Sequence, residues 1–111
     1  MNNGILNCFE ALGTKYKIVF KTEDEDSFLI ENAGFTDFAN KQIVLNRESM
    51  KEEATGAKYR RVLRHEVIHA FLYESGLNDS YCWDEESTVD WFAIQAPKIF
   101  KVYEELDINE T

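Results

Sequence analysis

One helix dominates what this chain can become. From Lys58 to Ser75 the sequence places Val62, Leu63, Val67, Ile68, Ala70, Phe71 and Leu72 around nearly every side of a helical wheel. A helix apolar on so many faces must run through the centre of its domain. Its one polar interruption is the string His65-Glu66-Val67-Ile68-His69. Residues four apart share a helical face, so His65 and His69 can direct both imidazoles at a single metal ion. Glu66 sits one step round the helix, where its carboxylate reaches a metal-bound water without displacing a ligand. These are the only two histidines in the chain.

The period of the sequence changes near Ser49. Before it, Tyr16 to Lys21 is rich in aromatic and β-branched residues and predicts a strand. Residues 5–12 fit either a short helix stopped by Gly13 or a first strand. Glu23 to Asp26 reads as a solvated loop or a helix start, and Phe28 to Ile30 is too short to classify. Phe35–Phe38 and Gln42–Asn46 flank a polar turn and predict a β-hairpin. After the change, Ser49 and Glu52 form a candidate capping box, with Gly56 dividing the stretch in two. Gly76 predicts the end of the central helix. Asp84 predicts the cap of a second long helix reaching about Leu106, with Pro97 expected to kink or divide it.

At 111 residues the chain makes one domain, 1–111, with room for one core. The apolar fraction is 44%, enough to fold, and the single proline argues against a linker-rich chain. A net charge of −9 disfavours nucleic acid as a partner, since phosphate binding needs a basic surface. Arg60, Arg61 and Arg64 read as a solvated helix face. Cys8 and Cys82 form neither a disulfide framework nor a Cys-x-x-Cys knuckle. No apolar run approaches a membrane span and the N-terminus shows no secretory pattern, so the expected location is the cytoplasm.

Two histidines do not complete a catalytic zinc site, which takes three protein ligands and leaves one position for water. The third ligand must be a carboxylate or a thiolate. The start of the second helix offers Glu85, Glu86 and Asp90, and Cys82 lies nearby in sequence. Glu86 and Asp90 share a helical face, which suits a ligand plus an outer carboxylate that orients a histidine, so Glu86 is preferred to Glu85.

With these residues in place, His65-Glu66-x-x-His69-Ala70-Phe71 followed by Glu86-x-x-x-Asp90-x-Phe92-Ala93 resembles the zincin metallopeptidases of the glutamate-ligand, or gluzincin, type. The nearest likeness is to the small ImmA/IrrE-like peptidases of phages and integrative elements. That group typically carries a small residue and Asn where this chain has Val89 and Asp90. The resemblance implies Zn2+ held by His65, His69 and Glu86, Glu66 as general base, and Asp90 orienting a ligand histidine. It also implies a protein or peptide substrate, such as a repressor encoded nearby.

An oxyanion needs a donor besides the metal, and both histidines are committed, so Tyr73 and Tyr81 are the side-chain candidates beside a backbone N–H. An edge strand around Phe35–Phe38 or Ile43–Leu45 is expected to align an extended substrate. The expected architecture is α+β, a minimal zincin-like fold with a small, mostly antiparallel sheet on the His-Glu helix and a second long helix. The alternative is a non-catalytic, zinc-stabilised protein-binding module. A nucleobase deaminase is disfavoured, because its His-x-Glu and Pro-Cys-x-x-Cys motifs are missing.

Overall fold

The structure, a computed structural model, describes residues 7–51, 56–77 and 84–109. The chain is α+β, with a four-stranded sheet carrying helices on one face. Strand β1 (Cys8–Ala11) turns through Leu12 and Gly13 into β2 (Thr14–Lys21). Both turn residues have positive φ, 51° and 92°, the primed turn whose twist matches a tight hairpin. Residues 8–11, open to either reading from sequence, are therefore a strand. In the first half of β2 burial alternates: Tyr16 and Ile18 are buried, while Lys15 and Lys17 are exposed; further on Phe20 is exposed and stacks on Tyr59.

Asp26 caps a single 3-10 turn, Ser27–Ile30, by accepting from the Phe28 amide. The predicted hairpin follows as β3 (Gly34–Asp37) and β4 (Gln42–Asn46). The spatial order is β1-β2-β4-β3, with β1–β2 and β3–β4 antiparallel. The central pair, β2–β4, is parallel. Hairpin signals do not anticipate this pairing. It arises because the chain passes over the end of the sheet to β3 and then folds β4 back into the gap beside β2. A parallel neighbour is reached with no crossover helix. β4 is consequently central and buried at Ile43, Val44 and Leu45, while β3 is an edge.

Asn46, and not Ser49, caps the short α1 (Arg47–Met50): its side-chain oxygen accepts from the Ser49 amide at 3.2 Å. The helix starts earlier than the capping-box reading because Asn46 is held at 3% exposure by bonds to Leu29 O and Glu23. Glu52 lies outside the described residues. Helix α2 (Ala57–Glu74) begins after Gly56. It ends in a Schellman arrangement, with Gly76 at φ 75°, its amide bonded to Tyr73 O, and the Leu77 amide bonded to Leu72 O.

Leu63, Val67, Ala70 and Phe71 of α2 pack on Phe9, Ala11, Tyr16, Ile43 and Leu45. Helix α3 (Glu85–Leu106) starts at Asp84, which accepts from the Ser87 amide at 2.8 Å. It passes through Pro97 as one helix, undivided. Beyond Pro97 it buries Ile99, Val102, Tyr103 and Leu106. Tyr103 donates its hydroxyl to Arg64 O, and Arg64 donates to Ile108 O at 2.7 Å. Before Pro97 the helix is mostly exposed, with Val89, Phe92 and Ile94 open to solvent. Trp91 donates to Ser75 Oγ at 3.0 Å and ties this half to the end of α2. Among the described residues, no helix is long and apolar enough to cross a membrane.

Candidate metal centre

Strand β3 runs alongside α2, and three alternate residues make the seam. A Cβ on Gly34 would lie 3.3 Å from Val62, and closer still to Leu45 and the Val44 carbonyl, so the glycine sets how near the strand can come. Two residues on, the Thr36 hydroxyl donates to Glu66 Oε1 at 2.8 Å. Two further on, the Phe38 ring stacks on Tyr73, centroids 4.3 Å apart. For the first step, Gly34 to Thr36 against Val62 to Glu66, the match is geometric, because two strand residues advance about 6.6 Å and four helical residues about 6 Å. Of the two stretches expected to offer an edge, the one around Phe35–Phe38 does so, as β3 (Gly34–Asp37) with Phe38 just past its end. The other option, Ile43–Leu45, is interior and has no free edge.

This seam fixes Glu66, which is only 7% exposed. A carboxylate taken from water this far needs hydrogen bonds, and Thr36 supplies one. Glu66 lines two adjoining hollows of about 290 and 340 Å³, which also share Asn32, Gly34 and His65. His69 and Phe38 close one end, and Arg61 and Val62 the other.

The two imidazoles converge on the solvent side of α2. His65 Nε2 and His69 Nε2 are 3.2 Å apart. Two nitrogens each about 2.0–2.1 Å from a tetrahedral zinc are separated by roughly 3.3 Å, so the pair already has the spacing of two corners of that polyhedron. The same separation lets one neutral ring donate N–H to the other. The distance alone suits either arrangement, two zinc corners or a ring-to-ring hydrogen bond.

The third corner is another matter. Among the described residues, no three His, Cys, Asp or Glu side chains come together as a metal-binding group. Glu85, Glu86 and Asp90 are all exposed in the first turns of α3. At about 100° per residue, Glu86 and Asp90 sit roughly 150° and 170° from the mean direction of α3's buried side chains, and Glu85 about 50° away. Cys82 and Tyr81 lie outside the described residues.

Tyr73 belongs to a separate cluster. Lys41 Nζ lies 4.5 Å above its ring and also pairs with Glu74 at 3.0 Å. Glu74 accepts from Thr14 Oγ1 and from the Tyr16 hydroxyl as well. Burial pushes the Tyr16 hydroxyl pKa up, and its bond to the Glu74 carboxylate adds to this. Burial alone would raise Glu74 too, but the bonds from Tyr16, Lys41 and Thr14 outweigh it and hold the carboxyl below its usual value.

Sequence reasoning did not place Thr36, which bonds Glu66, or Arg61, which lines the adjoining hollow, near the motif. Thr36 had a signal, since it alternates with Gly34 on a strand flanking the motif. Arg61 had one too, one helical turn before His65. No family model, curated protein or solved structure matches the chain.

Proposed function

We propose that this chain is a zinc-dependent peptidase that hydrolyses a peptide bond in a protein or peptide substrate inside the cell. The observation that carries the reading is the 3.2 Å convergence of two Nε2 atoms, with the intervening Glu66 held on the edge strand by Thr36. His65 and His69 would hold the metal together with a carboxylate from the start of α3. Glu86 is the residue the motif spacing nominates, with Asp90 as its outer partner, and Glu85 is its competitor on helical direction. A bound zinc ion would supply a Lewis acid and bring the pKa of water toward neutrality.

Glu66 does the proton work in this reading. Thr36 occupies Oε1, which leaves Oε2 to accept a proton and later pass it to the leaving amine. The free edge of β3 beside the histidines gives an extended peptide backbone a ladder to join. The oxyanion donor falls to a backbone N–H or to Tyr73 or Tyr81. The ImmA/IrrE-like resemblance makes one regulatory protein the natural substrate.

A second reading, a zinc-stabilised binding module, is favoured by the burial of Glu66 and by the exposure of every acid at the start of α3. One comparison separates the two. Glu66→Gln is expected to retain zinc, measured by elemental analysis after dialysis, and to lose peptide hydrolysis. Hydrolysis as fast as the parent's would remove Glu66 from its role. Zinc retained with no cleavage of any substrate by the parent would favour the binding module.

A further inference from the structure

The hollow that carries Glu66 ends in a charge that the peptidase reading does not use. We infer that Arg61 is a specificity-determining residue, binding a carboxylate within about two residues of the bond to be cut; this rests on the peptidase reading. Arg61 lines the 340 Å³ hollow together with His65, Glu66 and Gly34. It is exposed and has no ion-pair partner among the described residues, in a chain with 21 acidic residues. Among the described residues Glu66 is the one acid lining that hollow, and its Oε1 is engaged by Thr36. A guanidinium beside this hollow with no ion-pair partner among the described residues selects for an anion. Its planar fork matches a carboxylate with two parallel hydrogen bonds.

The spacing sets where that carboxylate lies. Arg61 and His65 are one helical turn apart, about 6 Å along α2. An extended peptide covers about 3.3–3.6 Å per residue, so the guanidinium addresses a group one or two residues from whatever lies at the histidines. That carboxylate is either the free C-terminus of the substrate, making the enzyme an exopeptidase, or an Asp or Glu side chain within a longer chain.

Matched synthetic peptides test this on the zinc-loaded protein. They carry a free C-terminus, a C-terminal amide, or an amide with one internal Glu or its Gln counterpart, with cleavage sites read by mass spectrometry. The expected result is a kcat/KM about tenfold higher for the carboxylate-bearing member of a pair, the order one charge-assisted pair contributes at a partly exposed site. In Arg61→Gln that ratio falls to about one. A preference confined to the free-acid peptide identifies the C-terminus, and one confined to internal Glu identifies the side chain. Equal rates in the parent, or a preference that persists in Arg61→Gln, overturn the inference while leaving the peptidase reading standing. If no peptide is cleaved, binding of the same set is measured by calorimetry. Carboxylate-dependent binding lost in Arg61→Gln keeps the anion site and sinks the peptidase reading; binding indifferent to the carboxylate, or none at all, sinks the anion site. Thermal unfolding of Arg61→Gln checks that the exposed substitution leaves the fold intact.

Discussion

The Thr36 hydroxyl donates to Glu66 Oε1 at 2.8 Å, and through this one bond the edge strand holds the carboxylate of the central helix. The bond joins residues thirty positions apart and sits where the chain has least room for an unpartnered charge. Thr36→Val keeps the shape and removes the donor. Stability is expected to fall by about 1–3 kcal/mol, the cost of leaving a buried charged acceptor short of a partner. Thr36→Ser should recover most of it. Chemical denaturation of the three proteins checks the order.

Zinc affinity is the second test. His65→Ala and His69→Ala each remove one of two converging donors and are expected to weaken binding by at least a hundredfold. Glu85→Ala and Glu86→Ala then divide the remaining question. The acid whose loss weakens binding tenfold or more is the third ligand, and an unchanged affinity in both places that ligand elsewhere. Competition with a chromophoric chelator gives the constants.

Glu74 makes part of the fold's stability depend on pH. Its carboxyl pKa in the folded protein is lowered, so the folded state binds that proton less tightly than the unfolded chain. Its contribution is complete above the unfolded carboxylate value near 4.3 and fades as pH falls through the lower folded value. Glu74→Gln is expected to cost roughly 1–2 kcal/mol at pH 7, because the acceptor of three hydrogen bonds loses its charge and one of its two oxygens. The gap between variant and parent should narrow below about pH 4. Thermal melts at a series of pH values read both effects.

Gly34→Ala would place a methyl group 2.9 Å from Leu45 Cδ2 and 3.0 Å from the Val44 carbonyl oxygen. The carbonyl is backbone of the central strand and cannot swing aside, so β3 must shift away from β4, and Val62 of α2, at 3.3 Å, must give as well. A loss of about 1–3 kcal/mol is expected, as for other overpacked sites. The seam that positions Glu66 should loosen with it. A melting temperature within 1–2 °C of the parent would contradict this account of the glycine.

The legible parts of the sequence were those where one local signal acts alone. Asp84 before an acidic first turn gave the start of α3, Gly76 the end of α2, and the alternation of Tyr16 and Ile18 the strand β2. The parallel β2–β4 pair was not legible, because it depends on two hairpins sliding together and no short window records that. Asn46 displaced Ser49 as a cap for a related reason: its fixing bonds come from Leu29 and Glu23, about twenty residues earlier. At the site, the histidine spacing was readable because a helix converts sequence interval into direction. The strand partner of Glu66 was not, since the pairing of β3 with α2 is a tertiary fact.

Pro97 has a consequence for how α3 opens. Having no amide hydrogen, it leaves the Ala93 carbonyl without its ladder partner, at the boundary between a half that buries Ile99, Val102, Tyr103 and Leu106 and a half that is mostly exposed. Amide hydrogen exchange should therefore step at this residue, fast on the N-terminal side and protected on the other. On that side Trp91, bonded to Ser75 and packed against the core, is the tie that opening of the turns bearing Glu85, Glu86 and Asp90 must break. Trp91→Phe, which removes the bond and keeps the ring, is expected to speed exchange before Pro97 and leave it unchanged beyond.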